Sequence, residues 1–528
     1  MVSIPIANAN RRIVRAAGTI MAAVIFGQVV SLLAKILIAH AFGTGMESDA
    51  FFTANRFSEI LFNLVAGGAL GSAFIPTLTG LLTKDDRKGA WRLASALANW
   101  VMLIMAGLAL LSAIFANEVV RYILAPAFST NNPAEAALTV ELLRIQLPSA
   151  VIFGLSGLVM GILNAHQSFL FPALAPSMYS TGLIIGAVIL APIYGIYGLA
   201  AGVVLGALLH LGLQVPTLVR LPARRYLFTL GLRFPQVSQV ARLMAPRLLG
   251  VAITQLNFLV NTNLASAMSA GSLTGISLAF PVMYMPLAAI AQSVAVAALP
   301  TFSEQAARGR LDEMRASLAA SLRGVLLLAV PASLGLILLR KPIVALLYQR
   351  GEFTADSTEL VAWALLFYAL GLVAFSIVEI VSRAFYALQD TKTPVLVGVG
   401  AMSLNLVFSL AFTAIFRQIA WAPHGGLALA NSLATYLEAF ALLYLMRRRL
   451  GGLHGLTILS GLGQAALAAL AMGGVVAVWM GMANNAPVAI LALGGVAAGA
   501  GIYALVLVLL GGSEVRQISG ILQRRLLK

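Results

Sequence analysis

Residues 360–378 read LVAWALLFYALGLVAFSIV, nineteen positions without a charge. As a helix rising roughly 1.5 Å per residue, such a run is about 28 Å long, close to the thickness of bilayer hydrocarbon. A spanning strand would need only about ten residues, alternating apolar and polar. This run does not alternate and is rich in Leu, Ala and Gly, so it reads as a spanning helix. Similar runs recur at 17–42, 50–82, 91–116, 138–165, 171–192, 195–218, 240–269, 273–302, 321–347, 359–388, 394–416, 424–446, 460–482 and 486–511. The expected fold is an all-α polytopic membrane protein with about 14 transmembrane helices. Composition agrees: of 528 residues, 60% are hydrophobic and 10% charged. Mean hydropathy is +0.95. A soluble chain with so few charges could not cover that much apolar surface.

The net charge of +16 is split among short, separated clusters. They form no basic face interleaved with aromatics, so nucleic acid is not the expected partner. Cysteine is absent, which excludes disulfides, thiolate metal sites and a Cys nucleophile. The five His lack metal-ligand spacing, so neither metal nor cofactor is expected. The stretch Gly67-Gly68-Ala69-Leu70-Gly71 lacks the preceding strand and Lys-Ser/Thr ending of a phosphate loop. It reads as close helix packing. No arrangement of Ser, His and Asp supports an enzyme. The basic segment NANRRIVR, residues 8–15, precedes an apolar run too long for a cleaved signal.

An even number of spans puts both termini on one side. That side collects about 24 basic residues, including Arg11, Arg12, Arg15, the run Arg447 to Arg449, and the tail with Arg524, Arg525 and Lys528. The other side has about five: Arg121, Arg340, Lys341, Arg350 and Arg417. The positive-inside rule then predicts cytoplasmic termini.

The chain also repeats itself. Ala165-His166-Gln167 with Pro172 matches Ala387-Leu388-Gln389 with Pro394 at an offset of 222. Pro76-Thr77 matches Pro300-Thr301 at an offset of 224. Two six-helix lobes are therefore expected, an N-lobe over 1–220 and a C-lobe over 221–450, followed by a helix pair and basic tail over 451–528. Parallel repeats of this sort are a transporter design, with the substrate held between the halves.

Charge in hydrocarbon is costly, so ionisable groups within spans are candidate functional groups. They are Lys35, Arg56, Glu59, Glu141, Arg144, Arg247, Glu379 and Arg383. Gln28, Ser31 and Lys35 share one face of the first span. Arg56, Glu59 and Asn63 share a face of the second, and Thr254, Asn257 and Asn261 a face of the seventh. Structural roles compete with functional ones. Arg56 can snorkel towards Glu47 or Asp49. Glu141 with Arg144, and Glu379 with Arg383, lie one turn apart and can pair locally. Amide and hydroxyl stripes can bond neighbouring helices. Lys35 is the hardest to explain structurally, because no acidic residue shares its stripe.

Several segments resemble the MurJ/MviN family, the lipid II flippases of bacterial peptidoglycan synthesis. They are Phe42-Gly-Thr-Gly-Met-Glu-Ser-Asp-Ala-Phe-Phe52, Gly67-Gly-Ala-Leu-Gly-Ser-Ala-Phe-Ile-Pro76, Gly161-Ile-Leu-Asn164 with Pro172-Ala-Leu-Ala-Pro176, Tyr348-Gln-Arg-Gly-Glu-Phe-Thr354, and Phe385-Tyr-Ala-Leu-Gln-Asp-Thr-Lys-Thr-Pro394. The matches fall in order across about 400 residues. The resemblance implies the fold of multidrug/oligosaccharidyl-lipid/polysaccharide exporters, with alternating access and a groove on the last two helices for a polyprenyl tail. It implies translocation of undecaprenyl-diphosphate-linked precursor, lipid II, across the bacterial plasma membrane. Lipid II, membrane lipids and the cell-wall synthesis machinery would be the partners.

The chain departs from the family pattern. Arginines typical of the first, second and eighth helices are replaced by Gln28, Ala34, Phe62 and Pro281. Lys35 adjoins one such position, Arg56 sits where a basic residue is common, and the acidic residue of the first loop is kept as Asp49. The resemblance thus points to a cavity of Lys35, Arg56 and Arg247 as diphosphate partners, with Gln28, Ser31, Asp49, Glu59, Asn63, Asn257 and Asn261 around them. Some members bind sodium through acidic residues on helices seven and eleven. The eleventh span here has Asn405 and no carboxylate, which argues against sodium coupling. Competing readings are an exporter of another polyprenyl-linked glycan, a drug antiporter, a membrane-embedded glycan enzyme, and a transport-inactive scaffold of an envelope-synthesis complex.

Overall fold

The computed structural model describes residues 6–65 and 71–511, apart from the side chains of 6–22, 65, 71, 72, 246, 247, 249, 250 and 253. The Arg247 side chain and the stretch 66–70 lie outside that description. The described helices are α1 (Ile6–Phe42), α2 (Met46–Val65), α3 (Gly71–Thr83), α4 (Arg87–Ile114), α5 (Pro133–Ala165), α6 (Leu170–Tyr194), α7 (Ile196–Val219), α8 (Pro235–Ser266), α9 (Ser272–Ala307), α10 (Leu311–Leu338), α11 (Ala355–Ala387), α12 (Lys392–Gln418), α13 (His424–Leu450), α14 (Gly455–Met482) and α15 (Val488–Leu509). No strand occurs among the described residues. The chain is an all-helical polytopic membrane protein.

Among the described residues, twelve helices are long and apolar enough to cross a membrane. The second expected span falls outside those twelve, because α2 carries Glu47, Asp49, Arg56 and Glu59 along its length. The ninth span, expected at 321–347, is instead Leu311–Leu338 followed by a separate short helix, Arg340–Tyr348. Pro342 is the reason. Its ring would collide with the carbonyl of Leu338 in a continuous helix, and it has no N–H to donate. Arg315 and Arg323 lie inside α10. Arg323 donates to Ser460 Oγ at 3.1 Å and Gln464 Oε1 at 2.9 Å, tying α14 to α10.

The repeat extends far beyond the short matches that signalled it. α4 and α10 are related by 224 residues at both ends, and so are the short helical stretch 116–124 and Arg340–Tyr348. α5 and α11 are related by 222 at both ends and have 33 residues each. The turns that follow are alike. Gln167 and Gln389 both take positive φ, 61° and 59°. The N–H of Ser168 reaches the Leu163 carbonyl at 2.9 Å, and that of Asp390 reaches Phe385 at 3.0 Å. These are the bonds of a helix closed by a left-handed residue. Asp390 also accepts from the Thr393 N–H at 3.0 Å and hydroxyl at 2.8 Å. Those donors hold its carboxyl below the usual carboxylate range.

Packing divides the helices into two compact units. The first runs through Leu273 and includes Arg350–Phe353, and the second comprises Thr274–Gln349 and Thr354 onward. In the first, α5 is central and packs on α2, α4 and α7. α8, which follows the expected lobe boundary at 220, packs on α2 and α3 in this unit. In the second, α11 packs on α9, α10 and α13, while α14 lies on α10 and α15 on α14. The resembling segments around Gly43 and Gly351 meet in the first unit, where the Glu352 N–H donates to the His40 carbonyl at 3.0 Å.

α6 and α7 pack through glycines four residues apart: Gly182 and Gly186 on one, Gly198, Gly202 and Gly206 on the other. A Cβ at Gly202 would lie 2.7 Å from the Cα of Gly186 and 2.8 Å from the Gly182 carbonyl oxygen. Lipid tails give no hydrophobic drive between helices, so backbone approach of this kind supplies the attraction. Gly202→Leu should therefore lower stability by about 1–3 kcal/mol. Gly463→Ala, whose added Cβ meets nothing within 4 Å, should leave it unchanged or higher. Thermal unfolding of both variants in detergent checks this.

Candidate functional site

A helix in lipid buries its polar side chains against other helices, because hydrocarbon offers them no partners. The polar residues of α2 do this in the first unit. Arg56 Nη1 donates to Glu59 Oε2 at 2.8 Å. Glu59 Oε1 accepts from Asn55 Nδ2 at 2.9 Å, and Asn55 Oδ1 accepts from the Tyr179 hydroxyl of α6 at 3.1 Å. The result is a continuous polar chain, Tyr179 to Asn55 to Glu59 to Arg56. Its charged end stays accessible, with the Arg56 and Glu59 side chains 30% and 38% exposed. The Arg56 guanidinium also lies 5.1 Å from the ring centroid of Phe258 on α8. A cation over an aromatic face is stabilised by the ring quadrupole.

Beside this chain lies a cavity of about 270 Å³, lined by Asn55, Ser58, Glu59, Asn63, Ser149 and Tyr179 among others. Phe62 and Phe153 form an apolar wall, their rings 5.0 Å apart. The Ser58 hydroxyl is buried without a partner. The cavity thus offers a carboxylate, two amides and two or more hydroxyls against an aromatic wall, a surface suited to a polar guest.

The other candidates are placed differently. Lys35 Nζ lies 5.5 Å from the Phe52 ring centroid, between α1 and α2. Gln28 is exposed and Ser31 half-buried on the same helix. Asp49 is 2% exposed, and its Oδ2 accepts from the Gly271 N–H at 2.7 Å. It anchors the turn that leads into α9. Asn257 is buried and accepts from Asn261 Nδ2 at 3.3 Å along α8. The structure thus brings Arg56, Glu59 and Asn63 together and uses Asp49 as a backbone anchor.

The expected side-chain pairings divide. Arg56 turns to Glu59 rather than to Glu47 or Asp49. Glu141 accepts from the Tyr197 hydroxyl, and Arg144 Nε donates to the Ala113 carbonyl at 3.1 Å. Each therefore bonds a different helix rather than the other. Glu379 and Arg383 do pair, at 3.6 Å. Asn55, Tyr179 and Ser149 escaped the sequence reading. Asn55 lies four residues before Glu59, which was a usable signal, whereas Tyr179 and Ser149 reach the cavity only through packing. Ser156, His210 and Gln214 form a buried cluster with contacts of 2.6 and 2.8 Å, tying α5 to the end of α7, and His210 also lines the cavity. Among the described residues no group of three or more His, Cys, Asp or Glu could hold a metal ion.

A family described as "Lipid II flippase MurJ" matches residues 38–493. A relative from Burkholderia cenocepacia named "Lipid II flippase MurJ" is 31% identical, over 82% of this chain and 84% of its own. One from Vibrio cholerae named "Probable lipid II flippase MurJ" is 29% identical, over 82% and 83%. A solved structure described as "Lipid II flippase MurJ, inward closed conformation" has a TM-score of 0.78 at 25% identity, covering 96% of this chain and 99% of that one. An inward-facing multidrug resistance transporter of the MATE family has a TM-score of 0.67 at 16% identity, covering 80% and 94%. This second likeness concerns the fold alone.

If Arg56 and Glu59 hold each other, Arg56→Ala and Glu59→Gln should not be additive in thermal stability. The expected coupling is about 0.5–1 kcal/mol, modest because both side chains are partly exposed. A coupling of zero in the double-mutant cycle would show that the pair does not act as one.

Proposed function

The chain belongs to the lipid II flippase MurJ family, and from that membership we propose that it carries undecaprenyl-diphosphate-linked peptidoglycan precursor, lipid II, from the inner to the outer leaflet by alternating access. It is a transporter rather than an enzyme, and a multi-pass protein of the bacterial inner membrane. The observation that carries the reading is the family match over most of the chain. The placement of polar side chains supports it. A diphosphate-sugar-peptide head group is large and anionic, and its hydration must be replaced on the way across. Arg56 and Lys35 would supply positive charge, while Glu59, Asn55, Asn63, Asn257 and Asn261 would supply hydrogen bonds. The polyprenyl tail would stay in lipid, against the groove proposed for α14 and α15. Many residues there, such as Leu467 and Leu470 on α14 and Leu493 on α15, are exposed.

Cargo release needs a state that binds weakly, so the two access states must differ in affinity. A cationic carrier can be reset by the membrane potential, worth about 2.3 kcal/mol per charge per 100 mV. We also propose cytoplasmic termini, on the strength of the basic asymmetry, and contact with the cell-wall synthesis machinery.

The decisive experiment is complementation of a flippase-depleted bacterium, together with lipid II translocation in vesicles. Good expression with failure in both would sink the proposal. Lys35→Ala and Arg56→Ala should each abolish rescue while the protein still reaches the membrane, and full rescue by both would refute the cationic site. Topology is checked separately, because the chain has no cysteine of its own. Gly309→Cys should react only from the cytoplasmic side and Asn485→Cys only from the outside. The reverse pattern would overturn the orientation.

A further inference from the structure

α9 widens into a π turn over Ala288–Gln292. Such turns insert one extra residue into a helix and often mark functional positions. Gln292 Nε2 donates to the Tyr284 hydroxyl at 2.6 Å and reaches Glu379 Oε1 on α11 at 3.4 Å. Arg383 lies one turn further along α11, its Nη2 3.6 Å from Glu379 Oε2. The Arg383 guanidinium also stands 5.8 Å from the Tyr386 ring centroid. The second unit thus holds a charged cluster within its spanning helices, built from α9 and α11.

The fold does not require this cluster. α5 and α11 are equivalent at an offset of 222, and the counterparts of Glu379 and Arg383 are Gly157 and Gly161. The same helix therefore packs in the first repeat with no charge at these positions. The pair is also loose. At 3.6 Å it is an ion pair without a hydrogen bond. A guanidinium normally grips a carboxylate or phosphate with two parallel bonds of about 2.8 Å. Arg383 Nε, one of those donors, is buried without a partner. The side chains remain 33% and 27% exposed, so an incoming group can reach them.

We propose that Arg383 binds the diphosphate of the cargo head group and is parked on Glu379 when no cargo is present. Gln292 and Tyr284 are positioning residues for Glu379. When phosphate oxygens take the guanidinium, the Gln292 amide still faces the Glu379 carboxylate, so that charge is not left bare in a low dielectric. The slack ion pair makes the exchange easy, because no strong bond has to be broken first. The inference rests on the flippase reading.

Phosphate could also come from bulk anionic lipid, so the test compares two ligands. Full-length protein in nanodiscs is titrated with lipid II and, separately, with phosphatidylglycerol. Arg383→Ala should weaken lipid II binding by about tenfold to a hundredfold, the worth of one charged hydrogen-bonding group. Phosphatidylglycerol binding should not change. Arg383→Lys should recover part of the loss. Glu379→Gln should tighten lipid II binding while slowing translocation, a gain that a purely structural role would not produce. Unchanged lipid II binding by Arg383→Ala would overturn the inference while leaving the flippase reading intact. Equal losses for both lipids, or weaker binding in Glu379→Gln, would also overturn it. Failure of the wild-type protein to bind lipid II would overturn the flippase reading itself.

Discussion

A peptide N–H or carbonyl left open to hydrocarbon costs roughly several kcal/mol, and lipid supplies nothing to bond it. This constraint sets the architecture. Each segment that enters the membrane must close its own backbone bonds as a helix, so the chain becomes a series of helices joined by short turns. It also governs the side chains. Polar groups that cross the membrane must meet one another. The polar chain from Tyr179 through Asn55 and Glu59 to Arg56 is one such solution, spanning α6 and α2. The cluster of Tyr284, Gln292, Glu379 and Arg383 is another, on α9 and α11.

The same constraint explains how the helices attach to one another. Burial of apolar surface cannot drive association where the solvent is itself apolar. The glycines of α6 and α7 answer this by letting two backbones approach within contact distance. Elsewhere side chains bond across helices, as Arg323 does from α10 to Ser460 and Gln464 on α14. Asp49 does similar work at the Gly271 N–H, where it steadies the entry to α9. A residue that the family resemblance placed in the binding site thus has a demanding structural task as well.

Repetition and departure from it carry different information. α4, α5 and the turn after α5 recur as α10, α11 and the turn after α11, down to the left-handed Gln167 and Gln389. What is repeated is what packing requires. What is not repeated, such as Glu379 and Arg383 against Gly157 and Gly161, is free to serve the cargo. In a transporter that moves one large anionic head group, function should be sought in such asymmetric residues.

The spans were legible in the sequence because length and apolarity are additive along a chain, and a run such as 360–378 declares itself without its neighbours. The repeat was legible only faintly, through two short matches, because packing constrains helix lengths and turns more tightly than residue identity. The ninth span was misplaced because hydropathy averages over Pro342, whereas the backbone cannot continue helically through it. For the candidate site, the stripe of Arg56, Glu59 and Asn63 could be read from helical spacing, since residues three and four apart share a face. Its partners could not. Tyr179 lies more than a hundred residues from Asn55 and meets it only through packing. The sequence by itself therefore determined which segments enter the membrane and which polar residues must find partners there. Only the tertiary structure decided which partners they find, because distance in hydrocarbon depends on how helices pack and not on order along the chain.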